Sequence, residues 1–309
     1  MRRYFVLRGY SERIVLIGLL AFLLAGCAYR PAYREPLFFE TLGDDTELMV
    51  TMRTDRARDL IVYAFPQLQN PDMEDLFDRA QRVSVSTPTS PGDHAVRLYG
   101  GIEGEIPKLL TRMGLTLSSQ WGREQDGFVY FREVATGFEV AVPKRGILVF
   151  ADADLPRVYD GMTRERVIYV PGELADRFME ADAALYSQHP DGMHLFGEQL
   201  PFPFELFFDE LWLTINRVDD VVNIDGTGFP DQQMYHLEGI ITLPENVQAR
   251  VFDRLIRVAY RDYMRKRDFE VENWRVTVNL QEHTVVFDNF LIFEDIIAEV
   301  LKNTIRMNN

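Results

Sequence analysis

Short strands interleaved with a few helices predict an α+β fold of antiparallel strands and packed helices. Three observations carry that expectation. Apolar and polar residues alternate over short stretches bounded by Pro, Gly, Asn and Asp, the pattern of half-buried strands joined by turns. Fewer segments show helical spacing, most clearly Glu245 to Arg267. With 47% hydrophobic residues in 309 the chain can build a large core, while a single cysteine excludes a disulfide framework.

Taken in order, regular structure is expected to begin near Thr46. Glu47 to Arg53 alternates as a strand, and Thr54 is a suitable N-cap, with Asp55 in the first turn, for a helix reaching Phe65. Pro66 and Pro71 interrupt the pattern before a short helical stretch from Met73 to Ala80. Val83 to Ser86 and Ala95 to Ile102 read as strands, separated by the turn residues Pro88, Ser90, Pro91 and Gly92. Glu105 to Met113 has the spacing of a short amphipathic helix, stopped by Gly114 as a C-cap. Four strands are expected next, at Leu115 to Trp121, Phe128 to Val134, Phe138 to Val142 and Ile147 to Ala151. Pro143-Lys144-Arg145-Gly146 is the turn of the last pair.

Glu173 to Ser187 has helical spacing, and an aromatic segment punctuated by Pro201 and Pro203 follows from Leu195 to Phe208. Leu211 to Val218 and Met234 to Leu243 are expected strands, Glu245 to Arg267 a long helix, Trp274 to Leu280 and Thr284 to Ile292 a hairpin, and Phe293 to Thr304 a last helix. The order strand, strand, helix, strand, strand therefore occurs twice. Arg97 to Ile102 sets against His236 to Ile241 in the two passages. Two readings are open: duplication of one α+β unit, or the chance recurrence of hairpins and helices. On the first, residues 46–190 and 191–309 are the two units, free to pack as one domain.

The N-terminus has the layout of a targeting segment. Arg2, Arg3, Arg8 and Arg13 precede the apolar run Ile14 to Leu24, whose eleven residues suit a signal peptide and are too few to span a bilayer. The run ends in Leu24-Ala25-Gly26-Cys27, and here the sequence resembles the bacterial lipoprotein class. That resemblance implies a signal peptide over residues 1–26, acyl chains on Cys27 and membrane anchoring through them. Ala28 after the cysteine implies export to the outer membrane, with the body facing the periplasm. Two or more acyl chains anchor stably without a transmembrane helix. Residues 28–45, with Pro31, Pro36 and Gly43, have no periodicity and read as the tether. In overall character the body resembles acidic envelope lipoproteins of the spirochaete type.

Chemistry is scarce. A formal charge of −15 lacks the basic footprint of a nucleic-acid partner. His94, His189, His194, His236 and His283 form no H-x-x-x-H pair, so no metal is expected, and no nucleotide or cofactor motif occurs. Asn223 to Gly226 resembles the centre of a calcium loop, but Val221 and Gln232 stand where ligands are needed. Acidic pairs such as Asp219-Asp220, Asp44-Asp45 and Asp152 with Asp154 keep one alternative open, a lipid-anchored hydrolase with a dispersed acid/His site.

Two surfaces are candidates for membrane or partner contact. Phe202, Phe204, Phe207 and Phe208 crowd one short segment, which reads either as buried core edge or as an exposed patch. Arg250, Arg254, Arg257, Arg261 and Arg265 recur at helical spacing and fall within an arc of about 80°. They read either as a solvated helix face or as a stripe for anionic headgroups or an acidic partner. The expectation is an envelope lipoprotein with a binding, scaffolding or envelope-maintenance role and no catalytic residues. Its ligand, protein or lipid, is not specified by the sequence.

Overall fold

The computed structural model describes residues 46–64, 77–88, 96, 98–163, 172–188, 208–218, 233–267 and 274–298. The expected signal, Cys27, the tether, Phe202, Phe204, Phe207, and the segments holding His189, His194 and Asn223 lie outside these residues.

Strands β1 (Thr46–Arg53), β2 (Ala80–Pro88), β3 (Tyr99–Gly104), β4 (Trp121–Asp126), β5 (Phe128–Glu133), β6 (Glu139–Lys144), β7 (Ile147–Ala151), β8 (Ala183–Gln188), β9 (Glu210–Arg217), β10 (Met234–Thr242), β11 (Arg275–Asn279) and β12 (Thr284–Phe293) form one sheet. Its order is β11-β12-β10-β9-β8-β1-β2-β3-β7-β6-β5-β4, and the strand pairs are antiparallel. The helices include α1 (Thr54–Ala64), α2 (Lys108–Leu117), α3 (Leu155–Thr163), α4 (Gly172–Glu180) and α5 (Asn246–Arg265), and residues 77–79 and 294–298 are helical as well. This is an antiparallel α+β fold.

One row of paired residues shows how the sheet is built. From β6 to β11 it reads Val140, Phe150, Gly100, Val85, Val50, Leu185, Leu213, Gly239, Phe287 and Val276. Near each end a glycine sits beside a phenylalanine, because the ring needs the space of the missing side chain. A Cβ on Gly100 would lie 2.2 Å from the Ser84 carbonyl oxygen and 2.8 Å from Phe150 Cζ. On Gly239 it would lie 2.3 Å from Phe287 Cζ. Such a close approach is one reason to place glycine inside a strand despite its entropic cost.

Hydrophobic clusters line this same face. Under α5 lie Leu185, Leu211, Leu213, Leu237, Val285 and Phe287, and under α1 lie Met52, Ala183 and Tyr235. At the other end Ile102, Phe131, Val140, Val142 and Phe150 form a third cluster, to which Leu115 of α2 adds. The opposite face carries α3 and α4, held by buried charge. Glu139, 1% exposed, accepts bonds from Arg132 and, at 2.6 Å, from the backbone N–H of Leu155 at the start of α3. A carboxylate is favourable there because the first helical N–H groups lack partners. Arg82 donates to Thr51 Oγ1 and to the Met179 carbonyl at 2.6 Å, capping the last turn of α4.

Three expectations need correction. The helix expected from Glu173 to Ser187 is α4 followed by strand β8, which pairs with β1 and β9. Ala183 to Ser187 are buried on both faces, so the strand has no alternation to read. Helix α2 does not stop at Gly114 but runs to Leu117, so the strand expected from Leu115 begins only at Trp121. Helix α3 lies where no element was expected.

Candidate functional site

Helix α2 presents an apolar stripe to solvent. Pro107 precedes its first turn, and its carbonyl accepts the Thr111 N–H at 3.0 Å; at the other end Ser118 N–H bonds the Gly114 carbonyl at 3.1 Å. Thr111 and Thr116 return their hydroxyls to the carbonyls of Pro107 and Arg112, so neither competes for another partner. Leu115 points at the sheet. Leu109, Leu110, Met113 and Leu117 fall within an arc of about 100° on the opposite side.

They are 71%, 55%, 50% and 82% exposed, and no residue of the helix is buried. Val134, 74% exposed, follows β5, and its N–H bonds the Gln120 carbonyl just beyond the helix. Single exposed apolar residues are ordinary; a contiguous set on one helix face marks an interaction surface. The sequence spacing of these leucines is visible beforehand, but periodicity alone does not tell a core face from a solvent face.

The arginine stripe lies on α5, whose buried face is Ala249, Phe252, Tyr260 and Met264. Three of the five arginines are engaged within the protein. Arg257 pairs with Asp253 at 2.6 Å and donates to the Val276 carbonyl on edge strand β11, Arg261 lies 5.7 Å above the Trp274 ring, and Arg265 pairs with Asp262. Lys266, with Arg265, holds the Asp262 carboxyl below its ordinary value. Arg250 and Arg254 are exposed and form no ion pair among the described residues. Val247, Val251 and Val258 are exposed on the same outer side.

Phe208, the one described member of the phenylalanine segment, is 9% exposed and packs into the core beneath α5. Of the acidic pairs, Asp152 accepts the Leu98 N–H at 3.2 Å, and Asp154 occupies a positive-φ turn before α3. His236 sits on β10 with Nδ1 buried and without a hydrogen-bond partner among the described residues, while His283 Nδ1 meets the Pro244 carbonyl. Among the described residues no cluster of His, Cys, Asp and Glu could hold a metal ion, and no helix is long and apolar enough to cross a membrane.

No protein family model and no curated protein matches the chain. Solved structures do. Crystal form III of TP0453 superposes with a TM-score of 0.58 at 12% identity, over 88% of this chain and 99% of that one. Crystal forms I and IV give the same score at 13% and 14% identity, over 88% of this chain and 98% of theirs. The likeness is one of fold. It spans nearly all of TP0453, so the long sheet with its helices is a shared architecture.

Proposed function

We propose that this chain is a lipid-anchored envelope protein, tethered through acyl chains on Cys27, whose body binds the bilayer surface through the exposed face of α2. The observation that carries the reading is the stripe Leu109, Leu110, Met113 and Leu117, directed away from the sheet. An amphipathic helix of this kind lies in the membrane interface with its apolar side about 5–10 Å deep. Full burial of a Leu or Met is worth about 1.5–3 kcal/mol, so partial burial of four gives a few kcal/mol. That is weak for a free protein and sufficient for a tethered one, because the lipid anchor makes docking intramolecular. The lipobox Leu24-Ala25-Gly26-Cys27 and the export-permitting Ala28 support the anchor and an outer-membrane, periplasm-facing location.

The same proposal takes the body as a duplicated unit. Strands β2, β3, β7 and β6 lie side by side, with α2 and the additional hairpin β4–β5 between the two pairs in sequence, and β9, β10, β12 and β11 repeat that spatial order with α5 alone between the pairs. Gly100 beside Phe150 and Gly239 beside Phe287 occupy matching strands of the two sets.

The test uses the lipidated chain in vesicles. Its native cysteine is blocked by lipid, so Met113→Cys provides a unique site for a fluorophore, and spin-labelled lipids report its proximity by quenching. We expect stronger quenching than at a control label on Asn279→Cys, and its loss when Leu109 and Leu117 are both changed to Ser. Equal quenching at the two positions would refute docking through α2.

A further inference from the structure

The apolar stripe of α2 ends beside a group of cations in a chain that is otherwise strongly acidic. Between Glu105 and Arg145 there are six basic and five acidic residues, against 33 and 48 in the whole chain. Position separates the two signs further. Glu139 is buried under Arg132, and Glu124 accepts the Tyr130 hydroxyl at 2.6 Å and pairs with the same arginine. One acid, the exposed Glu105, stands just before α2, and four cations gather around the start of that helix. Lys108 reaches from the first turn of α2 to the Pro143 carbonyl at 2.5 Å, which fixes its ammonium beside the β6–β7 turn without neutralising it. Lys144 and Arg145 are exposed on that turn, and the Gly146 N–H bonds the Ile106 carbonyl, so the turn is tied to the start of the helix. Arg112 stands one helical turn after Lys108 on the same flank.

The helix geometry sets the depth of these charges. Leu109, Leu110, Met113 and Leu117 point away from the sheet, whereas Lys108 and Arg112 lie on the sheet side, roughly one helix diameter higher. With the stripe sunk to the acyl boundary, the cations stand at the level of lipid phosphates. We propose that α2 and the β6–β7 turn together form a docking surface selective for anionic phospholipid, with Lys108, Arg112, Lys144 and Arg145 meeting the headgroup phosphates. This rests on the membrane-docking reading above and names the lipid class it prefers. Selectivity matters for a chain of charge −15, because its general repulsion from an anionic surface leaves the body oriented with this end towards the lipid.

The experiment is the same quenching assay on the lipidated chain labelled at Met113→Cys, in vesicles of phosphatidylcholine alone or with about one third phosphatidylglycerol. Near an anionic surface a Lys or Arg contributes enough to shift an equilibrium several-fold. We therefore expect the docked fraction relative to the undocked to rise at least about tenfold with the anionic lipid. The rise should fade as salt is added, and it should vanish when Lys108, Lys144 and Arg145 are all changed to Gln, while docking on the neutral lipid persists. The salt series needs no variant and so stands if the substitutions disturb folding. Equal quenching in the two vesicle types overturns the lipid selectivity and leaves docking intact. Quenching in neither overturns both.

Discussion

Two helices, α2 after the antiparallel pair β2 and β3 and α5 after the antiparallel pair β9 and β10, do opposite things. Helix α5 lays Ala249, Phe252, Tyr260 and Met264 on the sheet and turns arginines and three valines outward. Helix α2 is half as long, buries no residue fully and turns Leu109, Leu110, Met113 and Leu117 outward. A helix that follows a pair of antiparallel strands thus builds core in one part of the sheet and presents an apolar surface in another. The strands supply position; the helix sequence decides whether the apolar side chains are buried or left exposed.

The comparison breaks most directly by truncation in each helix. Phe252 is 3% exposed in the α5 core, so Phe252→Ala should cost about 3–5 kcal/mol. Leu117→Ala removes an equally apolar group that touches water, and should change stability by less than about 0.5 kcal/mol. Urea midpoints for the two variants decide it. A large loss from Leu117→Ala would mean that α2 is a core helix after all.

Next in size are the glycines. Gly100→Ala sets a Cβ against a backbone oxygen, and Gly239→Ala against side chains of Phe287 and Leu213. Overpacking of this kind costs about 1–3 kcal/mol, and Gly100→Ala should be the worse because backbone yields less than a ring. Shortening the neighbouring ring should rescue only Gly239→Ala: combined with Phe287→Leu, the double variant should recover part of the loss. Failure of that rescue would remove the steric account of the paired Gly and Phe.

Individual strands and helices differ in how legible they are in the sequence. Thr284 to Ile292 is readable because its residues alternate between buried and partly exposed over Thr284 to Phe287, and Ile147 to Ala151, apolar throughout, because the turn Pro143 to Gly146 marks its start. The strand β8 is not, because Ala183 to Ser187 sit in mid-sheet with both faces covered, and an unbroken apolar run after α4 looks like more helix. Gly114 misled for a different reason. A glycine after a helical stretch is usually a C-cap, whereas here the chain keeps helical geometry through it and closes at Ser118. The stripe of α2 was visible as periodicity and hidden as function. Leu109, Leu110, Met113 and Leu117 have the spacing of a core face, and only the position of α2, with Leu115 facing the sheet, assigns them to solvent.

Gly114 offers a smaller test of the same contrast. Nothing lies within 4 Å of a Cβ built there, and its φ is not in the positive range. Gly114→Ala should therefore stabilise the protein by about 0.5–1 kcal/mol through lower backbone entropy in the unfolded chain. It should also leave lipid docking unchanged or improved, since a firmer helix holds the stripe together. A destabilised variant would show that the α2 backbone departs from helix at this point.

The smallest expected effect is the one that separates the two helices as surfaces. Arg250 and Arg254 are the stripe members on α5 without an ion pair among the described residues, whereas Arg257 and Arg261 are committed to Asp253, β11 and Trp274. Exposed charges of this kind contribute little to stability, so changing Arg250 and Arg254 together to Gln should move the unfolding free energy by less than about 0.5 kcal/mol. If α2 is the face that meets lipid, quenching at Met113→Cys should also be untouched by this pair. If α5 instead lies on the bilayer, the double variant should weaken docking, because two cations without an ion pair among the described residues are lost from a helix whose outer side combines arginine with exposed valine. The proteins to compare are then the Arg250/Arg254 variant and the Leu109/Leu117 variant on the same vesicles. Loss of docking only in the second assigns contact to the short helix and leaves the long one as scaffold; loss only in the first reverses the two roles.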